Sequence, residues 1–550
     1  MLIARRSLLA ASLAAAPFPA RAQSYSAGIF THGVASGDPL ADRVMLWTRF
    51  AHSGDGRIGW EVSEDEAFAR VISRGDAEAR FANDFCVKVD ALGLAPGRRY
   101  FYRFLSASGP SLTGLTRTAS QGATESLSFA LFSCANMPYG YFHAYGHTAR
   151  RDDIDLVLHA GDYIYEVQRG SYPNAADAVP GRLVDPVNEA VSLADYYQRY
   201  ASYHTDPDLL ELRRLKPMSM IWDDHEIAEN TWREGARSNP SSAHGTFQDR
   251  IAAAAKAYCD WMPIRVPPPQ GARLYRALDW GDLARIILLD TRFIGRDRQL
   301  DYRTSLLPRL AEGGADARAL AAEFRAMLDD PARSMMGVAQ EAWFAEALAG
   351  SKARGQTWQV VTQQVVMGDQ IAPTGLSHLL PENANANARQ WYGGAERTAA
   401  LGLPWNLDSW NGYPAARARF LEACAANANN ALVLGGDSHN FWANNLGEAN
   451  RLAAIEFAGG SVTSPGFERV LTRAEPGQRE TMLRGANPQL ALCDLTHRGY
   501  GAFRLTRTEC AAEWVAFNDV RSPIAPTPRI TRLSSAPSTA AGPGAWSVQA

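Results

Sequence analysis

Four short stretches, each closing a hydrophobic run, carry residue types that hold hard metal ions. They are Phe132-Ser133-Cys134, Gly161-Asp162-Tyr163-Ile164-Tyr165, Trp222-Asp223-Asp224-His225-Glu226 and Gly436-Asp437-Ser438-His439. Together they supply carboxylates, a phenol, a thiol and imidazoles, the donor set of a two-metal hydrolytic centre, which no single stretch suggests.

Asp162 follows the apolar run 156–160 and a glycine, so its carboxylate can project past a strand end and bridge two cations, one through each oxygen. Tyr165, three residues on, reaches the same point if the turn is helical. A phenolate is a rare ligand because free Tyr titrates near about 10, but a trivalent ion such as Fe(III) displaces that proton. A helix-capping Asp162 with a packing Tyr165 explains this stretch equally well in isolation. Cys134 alone reads as a buried free thiol. Its place at a strand end beside Asn136, a donor and acceptor suited to phosphate, raises the metal reading. Residues 223–226 put three acids and a histidine together after the run 218–222, where without a cation the carboxylates repel. A solvated turn is the bland alternative. Asp437 and His439 would point to the same side of an extended segment. Gln363-Gln364 could complete a coordination sphere or support one.

These groups need a layered sheet to position them. Leu127–Phe132, Leu156–His159, 218–222, 283–289, Trp358–Thr362 and 431–434 are apolar runs of strand length. Helical stretches such as 248–261 and 340–350 separate several of them. Strand–helix alternation over 125–522 predicts layered α/β, with largely buried sheets flanked by helices and ligands just past the strand ends. Residues 27–120 read as a small all-β sandwich, with strands near 44–48, 58–63, 85–89 and 99–105 between Gly, Asp and Pro clusters. Residues 523–550, rich in Ser, Pro, Ala and Thr, read as a disordered tail or loose strap.

Arg5-Arg6 before Ser7-Leu8-Leu9, the apolar run 8–16 and Ala20-Arg21-Ala22 read as a signal peptide over 1–22, of twin-arginine type. Export through the twin-arginine machinery to the periplasm or beyond is the expectation, with no membrane span. Lys plus Arg is 55 against 58 Asp plus Glu, so no charge excess points to sequence-specific nucleic-acid binding or to a membrane surface. Six cysteines in 550 residues are no disulfide scaffold, though one or two bridges are left open.

The chain resembles the alkaline phosphatase D (PhoD-like) family of phosphomonoesterases and phosphodiesterases. The likeness rests on Gly33-Val34-Ala35-Ser36-Gly37-Asp38-Pro39, Leu46-Trp47-Thr48-Arg49, Phe132-Ser133-Cys134, Gly161–Glu166, Thr205–Asp208, Trp222–Glu226, Asp408–Pro414 and Gly436–His439, in that order. The resemblance implies an Fe(III)–Ca(II) centre akin to that of purple acid phosphatases. Cys134, Asp162, Tyr165 and His439 would hold the iron, Asp162 would bridge, and Asp224 and Asp437 would face calcium. Asp224 stands where binuclear phosphoesterases often have Asn and Asp437 where they often have His, and both changes suit a hard cation. The implied reaction is hydrolysis of phosphate monoesters or diesters, including phospholipase D-type substrates, by a metal-held hydroxide, with His225 as acid and Asn136 on a phosphoryl oxygen. Two rivals remain: Ser438 as the nucleophile of a serine esterase, and a non-catalytic binding protein.

Overall fold

The computed structural model describes residues 25–237, 245–265, 273–313, 316–448, 451–538 and 542–549. The expected signal peptide lies outside them. Two mixed sheets face each other with helices on their outer sides. The larger has ten strands in the order 547–549, 529–535, 510–517, 498–505, 127–132, 156–159, 218–220, 29–37, 43–51 and 86–92. Leu127–Phe132, Leu156–His159 and Met218–Met220 run parallel at its centre. Leu127–Phe132 is buried along its whole length, as a strand covered on both faces must be.

The second sheet has seven strands, in the order 276–280, 284–288, 358–362, 431–435, 451–459, 441–448 and 490–494, and the four from 284–288 to 451–459 are parallel. Alternation along these strands separates two cores. Ile286, Leu288, Val360, Leu432 and Leu434 face the larger sheet, whereas Ile287, Leu289, Val361 and Val433 face Phe344 and Phe420 of the helices Val338–Ala353 and Pro414–Asn427. Phe457 meets Phe503 across the sheets at 4.7 Å between ring centroids, and Phe441 stacks on Trp514 at 5.0 Å. Helices Leu193–Tyr203, Pro207–Leu215 and Phe247–Trp261 pack against the larger sheet through the shared core. Capping boxes of Ser192 with Asp195 and Thr246 with Asp249 start the first and third of these helices.

The strands and helices expected from the sequence all form, with ends moved by a few residues. Two expectations about the chain's outer parts are corrected. The N-terminal sandwich exists, with its own core of Val34, Leu46, Ile58, Trp60, Tyr102 and Phe104. One of its layers, however, is the end of the ten-stranded sheet, because Gly37 pairs with Met218. The tail after 523 is not disordered throughout. Arg529–Ser535 pairs antiparallel with Cys510–Phe517, and Ser547–Gln549 adds beyond it. Trp546 is buried and donates from Nε1 to Glu456 O at 2.9 Å. An edge strand takes its hydrogen bonds from a partner, so composition alone did not reveal it. All six cysteines are unpaired. Among the described residues no helix is long and apolar enough to cross a membrane.

Candidate metal centre

All four ligand-bearing stretches follow parallel strands and meet on the same side, where the loops of the two sheets converge. The backbone there is unusual. Cys134, Asp162, Asp437 and His439 have φ of 58°, 53°, 61° and 59°, four of the nine non-glycine residues with positive φ among those described. Such conformations cost energy and persist where surrounding contacts enforce them. They also correct the extended geometry expected for Asp437 and His439. The two side chains serve different groups: His439 lies with Cys134 and Asp162, and Asp437 with Asp223 and Asp224.

Glu226 locks two of these turns together. It is fully buried and accepts from Asp162 N at 3.0 Å, Tyr163 N at 2.6 Å and Asp223 N at 2.7 Å. Gly161, at φ 103°, allows the close approach, since a Cβ there would lie 2.3 Å from Asp223 N. From the second sheet, Ser461 Oγ donates to Cys134 O at 2.8 Å and Thr463 Oγ1 to Asn136 O at 2.7 Å, fixing the Cys134 loop.

Tyr165 Oη lies 3.0 Å from Asp162 Oδ2, 3.2 Å from His439 Nε2 and 2.7 Å from Ser464 Oγ. His439 Nδ1 donates to Pro465 O at 3.1 Å, which leaves Nε2 as a lone pair facing the tyrosine. Asp162 Oδ1 is buried without a partner. A cysteine sulfur, a carboxylate oxygen and an imidazole nitrogen thus stand within 4.8 Å of one another, beside a phenol. This mixed sulfur, nitrogen and oxygen donor set, with its orphaned carboxylate oxygen, fits a metal ion. Burial pushes the Asp162 carboxyl, the Cys134 thiol and the Tyr165 phenol above their usual ranges. Burial, aided by Arg498 and His225, lowers His439 to about 3. A cation would reverse the preference for protons on the acidic donors.

Asp223, Asp224 and Asp437 form the adjoining group. The sequence reading missed the residue among them. Arg292 is fully buried and contacts Asp223 through Nε, Asp408 through a terminal nitrogen at 2.5 Å, and Asp437 and Asp224 through the other at 2.5 and 3.4 Å. Asp223 Oδ2 is buried and unpartnered. Burial disfavours the Asp224 charge, but Arg292 and His225 hold its carboxyl at about 2, while burial lifts Asp437 to about 7. The carboxylates suit a calcium-type ion, with Arg292 already offsetting part of their charge. Asp290-Thr291-Arg292 follows the strand Ala284–Leu288 as the other site stretches follow theirs, and that position was the available signal.

His225 donates from Nδ1 to Glu166 Oε2 at 2.6 Å, has Nε2 3.4 Å from Glu229 Oε2, and lies 4.2 Å from the Tyr165 ring. Burial opposes its charge, but Glu166, Asp162 and Asp224 outweigh that and raise its pKa well above the usual value. Asn136 is buried, with Nδ2 3.4 Å from Tyr172 O and Oδ1 unpartnered. Gln364 supports the loops: it accepts from Thr291 N at 2.9 Å and donates to Trp222 O at 2.7 Å. Gln363 bonds Val365 and Trp410. Ser438 Oγ faces Asn440 and the Trp442 indole, and no histidine bonds it among the described residues, so the serine-esterase arrangement is absent there.

Facing mixed sheets with hard-metal ligand types on the loops at their carboxyl ends define a layered metallophosphoesterase-type α/β protein. Residues 129–514 match PhoD-like phosphatase, and residues 14–120 match PhoD-like phosphatase, N-terminal domain. Alkaline phosphatase D of Bacillus subtilis (strain 168) is 33% identical over 465 residues, covering 81% of this chain and 71% of that protein. A solved structure described as that of PhoD aligns with a TM-score of 0.75 and 28% identity, over 98% of this chain and 94% of that one. The chain belongs to the PhoD-like phosphatase family. It is an enzyme, a hydrolase of phosphoric ester bonds.

Proposed function

We propose that the protein is an exported, metal-dependent phosphoesterase acting on phosphate monoesters and diesters. The observation that carries this reading is Asp162, which shares one oxygen with Tyr165, keeps the other buried and unpartnered, and groups both with Cys134 and His439 and with Asp224 and His225. Cys134, Asp162, Tyr165 and His439 would hold Fe(III), and Asp162, Asp224 and Asp437, with Asp223, would hold Ca(II). When bound, these cations supply Lewis acidity toward water and the phosphoryl oxygens.

The protein's own residues then orient and protonate. Glu166 fixes the His225 ring through Nδ1, so Nε2 is the nitrogen that delivers a proton to the departing alkoxide. Asn136 Nδ2, held only by a 3.4 Å contact to Tyr172 O, is the donor offered to a phosphoryl oxygen. Arg292 draws the Asp223, Asp224 and Asp437 carboxyls toward their ionised forms against the effect of burial and holds them in place. Export rests on Arg5-Arg6 and the apolar run after them.

The test is turnover of p-nitrophenyl phosphate and bis(p-nitrophenyl) phosphate by natively exported protein, with elemental analysis before and after chelation. Activity lost with iron and calcium, and regained with both, is expected. Full activity in metal-stripped protein would refute the reading.

A further inference from the structure

Beside the metal centre lies a cavity of about 230 Å³ whose walls have no role in the chemistry above. Two residues join it to the centre. Asn230 lines it and donates its backbone N–H to Asp224 Oδ2 at 2.6 Å, and Asp408 lines it while holding Arg292 at 2.5 Å. A group in this cavity is therefore one hydrogen bond removed from Asp224, one of the carboxylates proposed to hold Ca(II).

Among the remaining walls are three indoles and three guanidiniums, one of which, Arg303, is paired with the wall carboxylate Asp301. Trp232, Trp391 and Trp405 contribute, and Trp391, on the helix Ala386–Ala400, leaves 48% of its surface to solvent. Arg298 stands over the Trp232 ring, 5.3 Å from its centroid, and makes no ion pair among the described residues. Arg237 reaches Glu229 only at 3.4 Å, and the other oxygen of Glu229 is the one facing His225 Nε2. Gln299 donates to Asn230 O at 3.1 Å but leaves its own oxygen buried and unpartnered, an acceptor awaiting an N–H. The volume is below the roughly 300–1,000 Å³ of drug-sized sites, so the cavity takes one compact group. A cationic head group would suit the indole faces but would meet the guanidiniums of Arg237, Arg298 and Arg303, and an uncharged aliphatic one would leave the indole faces and the amide acceptor unused.

We propose that this cavity is a nucleoside subsite: one arm of a phosphodiester substrate places its base against Trp391 and its neighbours, within reach of Gln299, and Arg298 and Arg237 meet a further anionic group on that arm. Stacking on an indole tolerates any base, because each has a π face, and guanidiniums add cation–π and charge contacts. The inference rests on the phosphoesterase reading and names a substrate class for it.

The experiment compares kcat/KM for thymidine 5′-(p-nitrophenyl phosphate) and methyl p-nitrophenyl phosphate in the wild type, Trp391→Ala and Arg298→Ala. The wild type should prefer the nucleoside ester by about tenfold or more, the size of one base–indole contact, and Trp391→Ala should shrink that ratio to within about twofold. A wild-type ratio near one, or a ratio that Trp391→Ala does not change, overturns the subsite. If neither ester is cleaved, the phosphoesterase reading fails and calorimetry still decides the subsite. Thymidine 5′-phosphate should then bind the wild type more tightly than inorganic phosphate does, and lose that advantage in Trp391→Ala. Equal binding of the two ligands overturns the proposal.

Discussion

Nδ1 of His225 lies 2.6 Å from Oε2 of Glu166, and both side chains are buried. The pairing sets the protonation of the imidazole. Glu166→Gln keeps a hydrogen-bonding group there and removes the negative charge, so the His225 pKa falls. The acid form is then lost at a lower pH, and the descending alkaline limb of kcat should move toward acid. A pH–rate profile of the variant checks this, and an unmoved limb would show that another group donates the proton.

Asp162→Asn removes a charge that faces both the Cys134–His439 pair and Asp224. Metal content and activity should fall together, by more than the roughly 10–100-fold typical of an outer-shell partner. Elemental analysis alongside turnover reads the result.

Tyr165→Phe leaves Asp162, His439 and Ser464 in place but deletes the phenol. Any visible phenolate-to-iron absorption should disappear while the circular dichroism of the fold is retained. A visible band that survives would remove Tyr165 from the iron sphere.

Arg292→Met leaves Asp223, Asp224, Asp408 and Asp437 without their common partner. Breaking a buried charge network in this way costs about 3–5 kcal/mol, read as a lower Tm and a lower denaturation midpoint. Added Ca(II) should restore more stability to the variant than to the wild type, because it supplies the missing positive charge at the same carboxylates.

His159 carries a pH dependence of stability away from the ligands. Its Nδ1 accepts from Gly161 N at 3.2 Å, so Nε2 holds the proton and donates to Tyr145 Oη at 2.9 Å. Burial lowers its pKa from 6.5 to about 3. Below about 6.5 the unfolded chain binds a proton that the folded ring refuses, so stability falls with pH down to about 3. His159→Gln should flatten the decline of Tm between about pH 6.5 and 4.5 by close to one proton.

The catalytic-side strands were legible because burial on both faces leaves unbroken apolar runs, such as Leu127–Phe132 and Trp358–Thr362, that end abruptly in polar residues. The same abruptness marked Cys134, Asp162, Asp224 and Asp437. Arg292 escaped because an arginine carries no ligand signal, and its meaning comes from four carboxylates brought together from distant segments. Glu226 was read as one more acid of a cluster, whereas three backbone N–H groups make it a clamp. The pairing of Gly37 with Met218 is non-local, and Arg529–Ser535 is a strand through its place between Cys510–Phe517 and Ser547–Gln549, which no local period announces.

The central strand Leu127–Phe132 is flanked by Leu156–His159 on one side and by Arg498–Leu505 on the other. Synthesis therefore leaves the middle of the largest sheet with an open, apolar edge until residues 498–505 have been made. Long-range closure of this kind is slow and exposes the edge to aggregation. Chains cut short before residue 498 should be cleared as misfolded species and should not persist as stable partial enzymes. Arg498–Leu505 thus acts as a late check, since only molecules whose synthesis has passed it can close the sheet that holds the centre's loops.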